Sequence, residues 1–112
     1  MQTEARKEGN PWAIAKGMDT FGPMSDPVKI DGIDLQDLNL KLTLNGEIRQ
    51  NSNTSKMIFP VDELISYVSK FMTIEKGDIL STGTPEGVGL MKSGDVVCAS
   101  VENIGKVCNR VR

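Results

Sequence analysis

The stretch Leu38-Asn39-Leu40-Lys41-Leu42-Thr43-Leu44-Asn45-Gly46-Glu47-Ile48-Arg49-Gln50 decides the fold. Leucine recurs at every second position from 38 to 44, with Asn39, Lys41 and Thr43 between. Side chains alternate across a strand, so a period of two gives one apolar face and one polar face. Asn45-Gly46 is the favoured pair for a two-residue type I′ turn, because both central residues must take φ > 0. Glu47 to Gln50 is then the return strand of a hairpin, and the four leucines are expected to share one buried face.

Downstream, Asn51 to Ser55 is polar and turn-like. Asn53-Thr54-Ser55 has the form of a glycosylation acceptor, but no signal of secretion accompanies it. Leu64, Ile65, Val68, Phe71 and Met72 follow helical spacing. Pro60 suits the first turn of that helix, and Asp62 and Glu63 suit the positive end of its dipole. Two similar units come next: Glu75-Lys76-Gly77-Asp78-Ile79-Leu80 and Lys92-Ser93-Gly94-Asp95-Val96-Val97. Each is a glycine turn, an aspartate and an apolar run, so each is expected to start a strand. A second hairpin closes the chain, with strands 96–101 and 106–111 around Asn103-Ile104-Gly105. Upstream, residues 2–8 are polar and helix-compatible, and Gly9-Asn10-Pro11 ends them. Trp12 to Ala15 is a short apolar run followed directly by Lys16, whose ammonium serves a site or snorkels to solvent. The pattern as a whole is β-rich α+β, with four to six strands and one good helix.

Composition excludes several functions. The chain has 112 residues and a net charge of −2 with its signs interspersed, so no basic stripe marks a nucleic-acid surface. No apolar run reaches the length of a membrane span, and the first eight residues lack the apolar core of a secretory signal. There is no histidine, which rules out any triad built on imidazole. The two cysteines, Cys98 and Cys108, do not make a disulfide framework.

The segment richest in chemical possibility is Leu80-Ser81-Thr82-Gly83-Thr84-Pro85-Glu86-Gly87-Val88-Gly89. Its glycines let a backbone approach a ligand, and Pro85 biases Thr84 towards extended geometry. It lacks the Gly-Lys-Ser/Thr ending of a phosphate loop and the spacing of a dinucleotide fingerprint. Any anion it holds is therefore expected to be a carboxylate or a polarised carbonyl. A purely structural surface turn is the commoner use of such a sequence.

Several stretches coincide, in order and spacing, with one family. They are Ala15-Lys16-Gly17-Met18-Asp19-Thr20-Phe21-Gly22-Pro23, Asn45 to Gln50, Ser52 to Phe59, and Lys76 to Gly89. Gly94 to Val97 and Ile104 to Val111 fit as well. Over nearly its whole length the chain resembles the C-terminal part of the fumarylacetoacetate hydrolase superfamily, closest to its domain-containing proteins and acylpyruvate hydrolases. The resemblance implies an incomplete mixed β-sandwich roll and a likeness to homodimeric enzymes of the cytoplasm or mitochondrial matrix. It implies a small 2-oxo or 1,3-dicarbonyl acid as substrate, hydrolysed at a C–C bond, decarboxylated as oxaloacetate, or isomerised. It also implies Mg²⁺ or Mn²⁺ as Lewis acid for an enolate. No nucleic-acid or membrane partner is implied.

Residue by residue, Lys16 matches the family lysine that stabilises the developing enolate, and Thr20 matches a residue beside it. Thr84, with Gly83 in the same loop, matches the threonine that holds the substrate carboxylate. Gln2 matches a substrate-binding glutamine. The family's metal ligands, a Glu-x-Glu pair and an aspartate, fall before that glutamine, and Glu4 and Glu8 do not have their spacing. Residues 1–112 are therefore expected to be the C-terminal part of a catalytic domain without its metal-ligand segment. On that expectation the stretch alone is inactive. The alternative is a catalytically inert module for folding or dimerisation. An enzyme of this kind works in a reducing compartment, so both cysteines are expected as free thiols.

Overall fold

A computed structural model describes residues 2–112. In chain order it contains α1 (Gln2–Glu8), α2 (Ala13–Lys16), β1 (Asn39–Leu44), β2 (Glu47–Asn53), a 3₁₀ turn (Thr54–Lys56), α3 (Val61–Ser69), β3 (Val96–Val101) and β4 (Gly105–Arg110). The strands form one sheet in the order β2-β1-β3-β4, and all three pairings are antiparallel. Two hairpins thus lie side by side, with β1 and β3 in the middle.

The leucine alternation behaves as its period requires. Leu38 is buried and Leu40, Leu42 and Leu44 are half-buried, while Asn39 and Lys41 are exposed. Residues directly opposite one another share a face, so Leu40, Leu42 and Leu44 stand beside Val101, Ala99 and Val97 of β3. The turn has Asn45 at φ 52° and Gly46 at φ 86°, as type I′ demands. A bulge interrupts β2: Leu42 pairs with Gln50 but Thr43 pairs with Ile48, leaving Arg49 as the extra residue. A bulge changes which face the following side chains occupy. Without it Lys41 would oppose Gln50; with it Gln50 and Ser52 join the leucine face.

The asparagine of the hairpin turn also ties the two hairpins together. Its side-chain oxygen accepts from Val96 N–H at 2.8 Å, and its amide donates to Asp95 Oδ1 at 2.9 Å. Asp95 in turn accepts from Lys92 N–H through Oδ2 at 2.8 Å. The repeated glycine-aspartate unit is real: Asp78 makes the same bond to Glu75 N–H at 2.8 Å, and both aspartate N–H groups close the turn onto the residue three back. The second unit starts β3, but Ile79-Leu80, expected as a strand, is irregular. A strand requires a hydrogen-bonded neighbour, and no ladder in the sheet reaches residues 79–80.

Helix α3 is shorter than its apolar spacing suggests and stops at Ser69, so Phe71 and Met72 lie beyond it, about 70% exposed. Its first N–H, at Val61, donates to Gln36 Oε1 at 2.8 Å. That distant side chain satisfies one of the orphan donors of the helix start. The expectation of free thiols is corrected. Cys98 and Cys108 are directly opposite in the β3–β4 register, with Cα atoms 4.1 Å apart, and they form a disulfide. Direct opposition in an antiparallel pair brings the two side chains together on one face, here the face away from the leucines.

The surface is far larger than the length warrants. A globular chain of this mass exposes about 6,000 Å², whereas this one exposes 9498 Å². Its radius of gyration is 15.4 Å, against about 13 Å for a compact domain. Leu38, 7% exposed, is the one buried apolar residue among the described residues. Phe21, Phe59, Ile79 and Leu90 are among many large apolar side chains left open.

Two outcomes follow from this architecture. Leu42→Asp should destabilise the sheet by about 3 kcal/mol or more, read as a lower denaturation midpoint; an unchanged midpoint would refute the shared leucine face. The Asn45 amide, then the Lys92 N–H, hold the Asp95 carboxyl below its ordinary value of 3.8. Because the folded value is the lower one, this stabilisation is complete above the unfolded value and is lost as pH falls through the folded one. Between about pH 5 and pH 2, wild type should therefore lose more thermal stability than Asp95→Asn. Parallel losses would show that the turn contributes nothing.

Candidate functional site

Residues 82–87 cross the leucine face of the sheet beside β2. Two contacts hold them there. Gln50, 8% exposed, donates from Nε2 to Thr84 Oγ1 at 2.8 Å and to Pro85 O at 3.0 Å. Gly87, at φ +99°, lies so close to the bulge that a Cβ there would stand 2.0 Å from Arg49 O. No side chain fits at that separation, and the left-handed φ adds a second reason for glycine. The loop is thus fastened at Thr84–Pro85 by a buried amide and at Gly87 by backbone contact with β2.

Between this loop, the end of β2, the 3₁₀ turn and α3 opens a cavity of about 500 Å³. Leu40, Phe59 and Leu64 give it an apolar side; Ser52, Lys56 and Thr84 give it polar groups. The far wall is set by Thr54, whose Oγ1 accepts from Leu38 N–H at 2.9 Å and whose N–H donates to Leu38 O at 3.0 Å. The polar lining consists of the hydroxyl residues Ser52, Thr54, Thr82 and Thr84, the Lys56 side chain and Asn53, whose amide N–H groups are committed to Asp37 and Asn39, and it has no carboxylate. That donor set suits an acceptor-only anion. A hard divalent cation takes carboxylate and carbonyl oxygens, and among the described residues no three His, Cys, Asp or Glu side chains cluster. The cavity's own residues therefore do not fit Mg²⁺ or Mn²⁺.

Of the residues singled out by sequence, Thr84 and Gly83 line this cavity. Lys16, Thr20 and Gln2 do not. Gln2 opens α1 and is exposed. Lys16 ends α2 with its Nζ 5.2 Å from the Trp12 ring centroid, a cation–π arrangement. Thr20 has φ 71° in a turn closed by Phe21 N–H on Met18 O at 3.1 Å. That conformation is a true outlier for a β-branched residue, and such outliers gather at functional sites. Two features of the site escape a sequence reading. Gln50 sits in the return strand of the first hairpin, and its burial depends on a bulge with no sequence signal. Lys56 lies in the Ser52–Phe59 motif, where nothing distinguished it from a surface lysine.

Gly87→Ala should cost about 1–3 kcal/mol through the strained backbone and the clash and should speed amide exchange across 83–87. Unchanged exchange would mean that the loop is not seated on the bulge.

Comparison with known proteins fits this geometry. The family model described as fumarylacetoacetate (FAA) hydrolase C-terminal matches residues 1–112. A mitochondrial oxaloacetate tautomerase of Bos taurus is 46% identical over 105 residues, 93% of this chain and 48% of that protein. The crystal structure of 5-carboxymethyl-2-hydroxymuconate delta-isomerase from Mycobacterium smegmatis superposes with a TM-score of 0.90 at 41% identity, over 97% of this chain and 43% of that one. A maleylpyruvate hydrolase from Sphingobium sp. SYK-6, in complex with manganese(II) and pyruvate, gives a TM-score of 0.80 at 35% identity, over 83% and 36% of the two chains. The chain spans about half the length of the curated relatives it matches.

Proposed function

This chain belongs to the fumarylacetoacetate hydrolase family, and from that premise we propose that it supplies the carboxylate-binding part of an enzyme acting on small 2-oxo or 1,3-dicarbonyl acids. The observation that carries this reading is the seating of Thr84. Its hydroxyl is held by a buried amide at the rim of a cavity lined by further hydroxyls and by Lys56, with no carboxylate in its lining. A carboxylate accepts hydrogen bonds and donates none when ionised, so it complements that lining. Relatives whose names specify oxaloacetate tautomerisation and maleylpyruvate hydrolysis act on acids of this class.

In this reading Thr84 and the Gly83 backbone orient the substrate through its carboxylate. Lys16 stabilises the charge that develops on the neighbouring oxygen, with Thr20 fixing the turn beside it and Gln2 contacting substrate. The reaction is C–C bond hydrolysis of an acylpyruvate, or decarboxylation or tautomerisation of oxaloacetate. A divalent ion, as in the manganese complex of the maleylpyruvate hydrolase, would supply Lewis acidity from carboxylates outside the cavity described above. The protein would then work as a homodimer in the cytoplasm or the mitochondrial matrix. The excess surface favours a second reading, a module without catalysis that folds or dimerises through its open apolar face.

The two readings part on kinetics. Within a chain of the relatives' full length, Lys16→Ala should lower kcat about a hundredfold, as loss of a transition-state donor does. Thr84→Val should mainly raise KM, because carboxylate binding is similar in ground and transition states. Residues 1–112 alone should turn over oxaloacetate and acylpyruvate no faster than the free divalent ion does. Metal-dependent turnover by residues 1–112, or an unchanged kcat in Lys16→Ala, would overturn this assignment of roles.

A further inference from the structure

Gln50 is a buried amide in a strand that otherwise reads as solvent-facing, and both of its Nε2 contacts go to one loop. The orientation of the amide is fixed by chemistry. Pro85 O is a carbonyl and only accepts, so the group 3.0 Å from it must be the NH₂ end. The same nitrogen lies 2.8 Å from Thr84 Oγ1, and a side-chain NH₂ only donates. Thr84 Oγ1 is therefore an acceptor towards Gln50. A hydroxyl has one proton, and the bond to Gln50 leaves that proton uncommitted. An accepted hydrogen bond also polarises the O–H and makes it a better donor.

We propose that Gln50 is a positioning residue that fixes the Thr84 hydroxyl as a hydrogen-bond donor to the carboxylate of a 2-oxo acid. The proposal rests on the reading of Thr84 given above and adds a selection rule to it. With its acceptor side occupied, Thr84 favours ligands that accept, such as an ionised carboxylate, over ligands that must donate. The Arg49 bulge is part of the same device, because it places Gln50 opposite Leu42 on the face that the loop crosses. Gly87, pressed on Arg49 O, keeps the loop within reach of the amide.

Pyruvate titrated into residues 1–112 at millimolar concentration, followed through the backbone amide and Gln50 side-chain NMR signals, tests the proposal. Wild type should bind with an affinity flat from about pH 7 down to pH 4.5, near the ordinary glutamate value. Gln50→Met, which keeps the bulk and loses the donors, should bind about tenfold more weakly at every pH. Gln50→Glu, ionised, can only accept and should capture the Thr84 proton. Its affinity should fall by more than tenfold at neutral pH and recover on acidification, as the protonated acid becomes a donor again. The Thr84→Val, Gln50→Met double variant should lose no more than Thr84→Val alone, because the amide acts through the hydroxyl. Additive losses, or a Gln50→Glu affinity that ignores pH, would overturn the positioning role while leaving carboxylate binding intact. No binding by folded wild type would overturn the carboxylate reading of Thr84 itself, and this inference with it.

Discussion

The position of one extra residue, Arg49, controls where the chemistry of this chain can lie. β1 is hydrogen-bonded along both edges, so its leucine face is fixed by β3 whatever β2 does. β2 answers to that face through a two-residue turn, and the turn alone would send Gln50 to the opposite side. The bulge reverses this and presents Gln50 and Ser52 beside Leu42 and Leu40. A strand has a side-chain period of two, so a single inserted residue is enough to invert every later side chain. The loop that carries Thr84 finds its anchor only because of that inversion.

Much of the fold could be read from local signals. The leucine alternation, the Asn45-Gly46 turn, the α3 spacing and the closing hairpin are each encoded within a dozen residues. The glycine-aspartate echo was legible too, and both copies make the same aspartate-capped turn. What was not legible depends on partners distant in sequence. Ile79-Leu80 has the composition of a strand, but no strand pairs with it. The expectation of free thiols rests on compartment alone, whereas the strand register sets Cys98 directly opposite Cys108 and is the direct cause of the contact. The bulge has no residue signature, so the burial of Gln50 is invisible in the sequence although Asn45 to Gln50 is one of the family-like stretches. The threonine loop could be recognised, but the amide that orients it could not.

The exposed apolar surface and the placement of Lys16 bear on the same question. The 9498 Å² of accessible area is about half as much again as a globule of this mass should show. An excess of this size is comparable to the area covered in large permanent interfaces. The α1–α2 segment, with Lys16 over Trp12, has no hydrogen-bond ladder to the sheet. The Thr84 loop, where we propose that a carboxylate binds, is by contrast anchored to the sheet itself, through Gln50 and the bulge. Bringing Lys16 to the same substrate is a separate requirement, and the sheet contacts do not supply it.

The most direct test of this account is a crystal structure of the protein with bound pyruvate. The account predicts a carboxylate oxygen at hydrogen-bond distance, about 2.7–2.8 Å, from Thr84 Oγ1 in the cavity beside Leu40 and Phe59. Gln50 Nε2 should still face the other side of the same hydroxyl and Pro85 O. A carboxylate bound away from Thr84, or a Gln50 side chain swung off the loop with the ligand in place, would contradict it.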